Sequence, residues 1–282
     1  MQTRREELAA AIADVRGRGD GIFMPFVVIG DPSPEASMQL ALTLCDNGAD
    51  IIEFGFPFSD PPADGPVIQA ADDRALRAGV TPAMCLQFIA DLRAQRGTPV
   101  ALLIYYNLIL QHGVDRFYEQ AASAGVNAVL VADVPVEHAK PLLTASEEHG
   151  IAQVFIASEL SSDERLQRLA AAGSGYVYTV ARIGITGEQS EVSSGLANTL
   201  QRARAATNLP LFVGFGISAP EHVRAVMDAG ADGAICGSAI VRIIEPLARG
   251  EKSLEETAAA LAAFSAEMKA ATVSEAGAAN KK

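Results

Sequence analysis

Lysine, cysteine and histidine are scarce in this 282-residue chain, and their positions exclude several kinds of chemistry. The five lysines are Lys140, Lys252, Lys269, Lys281 and Lys282. None ends an apolar run of the kind that forms a strand, so a Schiff-base mechanism has no nucleophile. The three cysteines are Cys45, Cys85 and Cys236. Their odd number and spacing favour free thiols in a reducing compartment.

Metals, nucleic acids and membranes are also poor partners for this sequence. The four histidines are His112, His138, His149 and His222. They show no metal-ligand spacing, so we expect no metal site. The net charge of −12 repels phosphate backbones and anionic lipids. No apolar run approaches the roughly 20 residues of a membrane helix, and the N-terminus lacks a signal peptide's apolar core. We therefore expect a cytoplasmic protein that acts on a small molecule.

Short apolar runs alternate with amphipathic segments along the chain. The strand-like runs are residues 21–30, 49–55, 99–107, 127–135, 151–158, 175–181, 209–218 and 232–238. Runs that are apolar throughout suit a parallel sheet covered by helices. The sequence therefore predicts an α/β fold, a (β/α)8 TIM barrel with an extra N-terminal helix, as one domain over residues 1–273. The alternative is a doubly wound open sheet, which the lack of a GxGxxG motif after the first strand disfavours. Residues 274–282 are expected to be a disordered tail.

The carboxyl ends of the strands carry the active site in a barrel of this kind. In residues 51–66, IIEFGFPFSDPPADGP, an acid, Glu53, interrupts an apolar strand. Burial raises the pKa of such a carboxyl and suits it to proton transfer, although a structural hydroxyl partner is the alternative explanation. Asp64 follows in a proline-stiffened loop and could act as an anionic anchor beside Glu53. Asp60 fits a turn or helix-cap role better.

Glycines at the ends of the last two strands indicate a phosphate site. Gly216 ends the seventh strand, and Gly237 and Ser238 end the eighth, ahead of a short helical segment. Glycine lets backbone N–H groups approach an anion, and a helix N-terminus favours negative charge. Gly187, in the preceding loop, could add a third donor, so no lysine or arginine is required. Ordinary turns are the alternative explanation, and Cys236 is better explained as a packed thiol than as a nucleophile.

Five segments together resemble the α subunit family of tryptophan synthase. They are EFGFPFSDPPADGP, LVADVP, RIGITG, GFGIS and GSAIV, in order, within a match from about residue 26 to residue 244. The resemblance implies retro-aldol cleavage of indole-3-glycerol phosphate to indole and glyceraldehyde 3-phosphate. It implies that Glu53 is the acid–base and that Asp64 faces the indole N–H.

The resemblance also implies further site residues and a partner. The substrate-binding positions are Phe26, Leu103, Tyr105, Leu130, Tyr178, Thr186 and Phe215. The phosphate-binding positions are Gly187, Gly216, Gly237 and Ser238. No cofactor is expected in this chain, because pyridoxal phosphate belongs to the β subunit of an α2β2 complex that receives the indole. The loops DPPADGP and ADVP match segments that contact this partner, and RIGITGEQSEVSSG matches a mobile lid.

Four positions depart from residues common in the family: Pro62, Tyr106, Ala181 and Ile183. None of them is Glu53 or Asp64. Two alternatives to an active lyase remain open: an interaction subunit that mainly activates a β partner, and another phosphate-binding barrel of the same pathway. The intact acids and glycines favour the lyase. The other phosphate-binding barrels rely on lysine or cysteine–aspartate chemistry at strand ends, and this sequence does not have those residues at the matching positions.

Overall fold

Eight parallel strands close into a barrel within residues 2–180 and 194–273, the part of the chain that the computed structural model describes. The strands are β1 Ile22–Val28, β2 Ile52–Gly55, β3 Val100–Ile104, β4 Val126–Val131, β5 Ala152–Ala157, β6 Val177–Val180, β7 Leu211–Gly214 and β8 Gly233–Cys236. Each strand pairs with its neighbour in sequence, and β8 pairs with β1. The TIM barrel prediction is therefore confirmed, and the open-sheet alternative is wrong.

Within the described ranges, twelve α-helices cover the outside of the barrel and the end where the strands begin. They are α1 Arg4–Gly17, α2 Pro34–Asp46, α3 Pro66–Arg77, α4 Pro82–Gln95, α5 Tyr106–His112, α6 Val114–Ala124, α7 Lys140–Glu148, α8 Asp163–Ala172, α9 Ser194–Ala206, α10 Pro220–Asp228, α11 Ser238–Ala248 and α12 Leu254–Ala270. Proline or a Ser/Thr cap begins most of them, because the first helical N–H groups have no partner inside the helix. No described helix is both long enough and apolar enough to cross a membrane.

The extra N-terminal helix that the sequence predicts is α1, and it packs at the end of the barrel where the strands begin. Thr3 and Glu6 form a capping box at its start. The buried side chain of Asn127 accepts the N–H of Val100 at 2.9 Å and donates to the carbonyl of Arg4 at 3.0 Å. These bonds attach the start of α1 to the amino ends of β3 and β4.

Helix α5 begins inside a segment that the sequence predicts to be a strand. The predicted third strand, residues 99–107, ends at Ile104, and its last two residues already belong to α5. The carboxylate of Asp133, in the loop after β4, accepts the N–H of Tyr106 at 2.8 Å and so caps α5. The predicted tail, residues 274–282, lies outside the described residues.

Candidate active site

A cavity of about 530 Å³ opens at the carboxyl ends of the strands. Nine residues singled out from the sequence line it: Phe26, Glu53, Asp64, Leu103, Tyr178, Phe215, Gly216, Gly237 and Ser238. They come from β1, β2, β3, β6, the loops after β2, β7 and β8, and the start of α11. Closure of the barrel thus gathers residues that lie more than a hundred positions apart.

Glu53 is a fully buried acid without a hydrogen-bond partner in the described part of the chain. Strand pairing places it between Phe26 of β1 and Ala101 of β3. Burial, and then the negative charge of Asp64, raise the pKa of Glu53 to about 8. The carboxyl group is therefore protonated at neutral pH, and no described neighbour restrains it. The structural hydroxyl partner considered from the sequence is absent among these residues.

Asp64 is held by a hydrogen bond that the sequence does not predict. The hydroxyl of Tyr105 donates to its carboxylate at 2.6 Å and accepts the N–H of Ala63 at 3.3 Å. Phe58, from the same loop, stacks on the Tyr105 ring with centroids 5.2 Å apart. Burial raises the pKa of Asp64, and the Tyr105 hydroxyl partly offsets this rise. Tyr105 therefore positions the carboxylate that lines the cavity and does not line the cavity itself.

The side chain of Tyr178, on β6, lies against the neighbouring strand β7, where Gly214 leaves room for it. A Cβ atom at Gly214 would lie 2.3 Å from the Tyr178 hydroxyl, well inside contact distance. The next residue, Phe215, has a φ of 72°, in the left-handed region that is unfavourable for bulky side chains. Its ring meets that of Tyr178 edge-on, with centroids 6.2 Å apart. Backbone strain of this kind concentrates at functional sites.

The ends of β7 and β8 present backbone donors to the same cavity. Gly216 has a φ of 85°, which glycine adopts without strain. Gly237 is the N-cap of α11 and has no side chain to satisfy the N–H groups of the first turn, which begins at Ser238. A Cβ atom at Gly237 would lie 3.3 Å from the Phe26 ring. These features give the geometry of an anion site at a helix N-terminus.

Some predicted positions lie elsewhere. Leu130, on β4, is buried and lines a neighbouring cavity of about 220 Å³ formed with the loop after β4. Thr186 and Gly187, with the departures Ala181 and Ile183, fall outside the described residues. Pro62 and Asp60 are exposed. Asp60 accepts a hydrogen bond from the Ser59 hydroxyl at 2.6 Å, whereas the N-cap of α3 is Gly65, so the helix-cap role for Asp60 is wrong.

Cys236 is a packed thiol, as the sequence favours. It is fully buried, its Sγ lies 3.2 Å from the carbonyl oxygen of Ile217, and burial raises its pKa to about 12. Such a thiol is not a nucleophile near neutral pH. Among the described residues, one group has metal-ligating side chains close together: Asp115, Glu148 and His149, none of which lines the active-site cavity.

Among the cavity-lining side chains that sequence reasoning missed are Ile68, His222 and Arg242. The spacing between Ser238 and Arg242 was an available signal, because residues four apart share a helix face. His222 lies early in α10, and its Nδ1 accepts the N–H of Ser218 at 3.3 Å. The cavity therefore has basic side chains next to its backbone donors, although the glycine pattern alone does not require them.

A family model for the tryptophan synthase alpha chain matches residues 12–273. The chain belongs to the tryptophan synthase alpha chain family. Its relatives include the tryptophan synthase alpha chain of Shewanella oneidensis, 46% identical over 264 residues that cover 93% of this chain and 94% of that protein. The alpha chain of Methanothermobacter thermautotrophicus is 49% identical over 233 residues, or 82% of this chain and 86% of that protein.

Solved structures agree with this membership. The tryptophan synthase subunit alpha of Legionella pneumophila superposes with a TM-score of 0.84 at 31% identity, covering 94% of this chain and 98% of that chain. A chain of the tryptophan synthase complex from Pyrococcus furiosus superposes with a TM-score of 0.79 at 36% identity, covering 89% of this chain and 98% of that chain. The resemblance inferred from the five sequence segments is thus confirmed.

Proposed function

We propose that this chain cleaves indole-3-glycerol phosphate to indole and glyceraldehyde 3-phosphate, as the α subunit of a tryptophan synthase. One observation carries the proposal: a fully buried glutamate, with no hydrogen-bond partner among the described residues, faces a cavity that also contains an aspartate and a glycine-lined anion site. An aromatic, phosphorylated substrate matches this combination. Family membership gives the reaction class independently of that geometry.

In the proposed complex, each end of the substrate meets a different part of the cavity. The phosphate lies against the backbone donors at Gly216, Gly237 and Ser238. The indole ring packs between the apolar side chains of Phe26 and Leu103, with Phe215 nearby. Its N–H then points to the carboxylate of Asp64, which the Tyr105 hydroxyl already orients at 2.6 Å. These groups are in place before substrate arrives, and preorganised groups of this kind lower the barrier of the chemical step.

The chemistry begins with proton donation from the carboxyl group of Glu53 to C3 of the indole ring. The positive charge that develops on the ring nitrogen is stabilised by the Asp64 carboxylate. The Glu53 carboxylate then removes the proton from the hydroxyl on the adjacent glycerol carbon. As that O–H breaks, the carbon becomes an aldehyde, and the electron pair of the carbon–carbon bond returns to the ring. Glu53 ends protonated, as it began.

The same proposal includes a β subunit that binds pyridoxal phosphate and receives the indole in an α2β2 assembly. The acid–base steps above use only side chains of this chain and require no cofactor here. The loop between β2 and α3 and the loop after β4 are the proposed contact segments. Three free thiols fit action in the cytoplasm.

Indole release by the purified chain, measured with and without a β subunit, tests the proposal. We expect Glu53→Gln to abolish release because the amide cannot supply the proton. We expect Asp64→Asn to impair it severely. Glu119→Gln, on the exposed face of α6, is the control and should match the parent. Parental rates in Glu53→Gln would make the assignment wrong, and no response to the partner would contradict the coupling.

A further inference from the structure

We infer that Arg242 and His222 form a basic wall of the phosphate subsite, and that Arg242 makes the cavity selective for phosphorylated over dephosphorylated ligands. The inference rests on the proposed function, because it assigns the phosphate to the end of the cavity where β7 and β8 finish. It adds two side chains to a subsite otherwise made of backbone donors.

Arg242 brings a positive charge to the cavity that no described carboxylate neutralises. It lies on α11 one turn after Ser238, so both side chains occupy one helix face, and it lines the cavity. No described acid lies within salt-bridge distance of its guanidinium, whereas Arg249, the C-cap residue of the same helix, pairs with Glu245 at 3.0 Å. An uncompensated guanidinium at a cavity wall is available to a bound anion.

His222 contributes a ring N–H donor to the subsite. Its Nδ1 accepts the backbone N–H of Ser218 at 3.3 Å and lies 3.3 Å from the Ser218 hydroxyl. A ring nitrogen that accepts from a backbone N–H carries no proton, so the N–H of the ring is at Nε2. Among the described residues Nε2 has no partner, and the ring lines the cavity. The Nε2–H group is therefore free to donate to a phosphate oxygen.

The charge balance of the cavity favours a positive side chain beside the backbone donors. Asp64 lines the cavity as a carboxylate and the whole chain carries a net charge of −12, so a phosphate dianion approaches an unfavourable field. Backbone N–H groups stabilise an oxyanion but carry no net charge. A guanidinium adds charge and paired donors at fixed geometry, which favours phosphate over a hydroxyl group at the same place.

The test compares Arg242→Gln with Arg249→Gln, which removes the same charge from the same helix outside the cavity. We measure kcat and KM for indole release, and the Kd of glycerol 3-phosphate by calorimetry. We expect Arg242→Gln to raise KM and this Kd about tenfold and to leave kcat within about twofold of the parent, because a charge-assisted hydrogen bond is lost. Arg249→Gln should match the parent. Rising salt should weaken glycerol 3-phosphate binding in the parent more than in Arg242→Gln.

His222 is tested with His222→Phe and His222→Gln. We expect His222→Phe to raise the Kd of glycerol 3-phosphate about threefold to tenfold, because it loses one hydrogen bond to the phosphate. His222→Gln should restore most of the affinity, since an amide can accept from Ser218 and also donate to the ligand. Equal losses in both variants would overturn the assignment of His222 as a donor.

The outcomes separate this inference from the proposed function. If the parent releases indole but Arg242→Gln and Arg249→Gln share its KM and Kd, the basic wall is wrong and the lyase assignment stands. If the parent releases no indole, yet Arg242→Gln alone loses glycerol 3-phosphate binding, the lyase assignment fails and the basic wall stands. Unchanged far-UV circular dichroism excludes misfolding as the cause of either result.

Discussion

Replacing Glu53 with glutamine is expected to change the free energy of unfolding, relative to the parent, by an amount that becomes more favourable as the pH rises. In the unfolded chain this carboxyl ionises near its ordinary pKa of 4.5, but in the folded chain burial raises the pKa to about 8. Between these values the folded parent holds a proton that the unfolded parent has released. The parent's free energy of unfolding therefore falls as the pH rises through this window, and Glu53→Gln lacks this loss.

The size of the effect follows from the same two pKa values. Each pH unit within the window changes the free energy of unfolding by about 1.4 kcal/mol. At pH 7 the accumulated difference is about 3 kcal/mol, and above pH 8 it levels off at about 5 kcal/mol. The buried amide of glutamine also lacks partners, which lowers the stability of the variant by an amount independent of pH. The slope against pH is therefore the decisive quantity.

Urea unfolding followed by far-UV circular dichroism measures this slope, since the chain contains no tryptophan for fluorescence. Parent, Glu53→Gln and the exposed control Glu119→Gln are compared at several pH values between about 5 and about 9. The curve for Glu119→Gln should run parallel to that of the parent. A difference between Glu53→Gln and the parent that stays constant across this range would refute the view that Glu53 is a buried, protonated acid.

Three further perturbations test the site. Since Glu53 must be protonated to act, kcat/KM for indole release should fall above about pH 8, the pKa to which burial raises it. Tyr105→Phe removes the hydroxyl that lowers the Asp64 pKa, so the acidic limb of kcat/KM should move to higher pH, with about a tenfold loss at neutral pH. Gly214→Ala should displace Tyr178, lowering kcat at least about tenfold and destabilising the fold by about 1–3 kcal/mol in thermal unfolding.

Each of these predictions has a matched control. Glu53→Gln should release no indole at any pH, because the fall of kcat/KM at alkaline pH is attributed to the Glu53 carboxyl group. Tyr106→Phe, one residue after Tyr105, should leave the acidic limb in place. Gly17→Ala, at the end of α1, adds a Cβ with nothing within 4 Å and should leave kcat unchanged without lowering the stability of the fold. A Gly214→Ala variant that behaves like Gly17→Ala would contradict the packing argument.

The fold was largely predictable because a parallel barrel repeats one local pattern. Strands buried on both faces are apolar throughout, and capping residues mark the helices between them, so each unit is recognisable by itself. Helix α5 escaped prediction because the signal that starts it is not local. Tyr105 and Tyr106 continue an apolar run, and the Asp133 carboxylate that caps the helix comes from the loop after β4.

The two acids of the candidate site were predictable for the same reason, whereas their partners were not. Glu53 interrupts an apolar strand and Asp64 lies in the following loop, and both features are visible within sixteen residues of sequence. The resemblance implies substrate-binding roles for Tyr105 and Leu130, and these stay predictions. The contacts that the structure adds are the bond from Tyr105 to Asp64 and the place of Leu130 in the wall of a second cavity.

The sequence by itself determined the barrel, the buried glutamate and the glycines that end β7 and β8, because these depend on hydrophobic pattern and backbone freedom within short segments. Only the tertiary structure decided which side chains surround them. The Tyr105 hydroxyl meets Asp64 across 41 positions, and Arg242 and His222 reach one cavity from two helices. Such contacts depend on the closure and register of all eight strands. No single segment encodes that register, because each strand pairs with neighbours elsewhere in the chain.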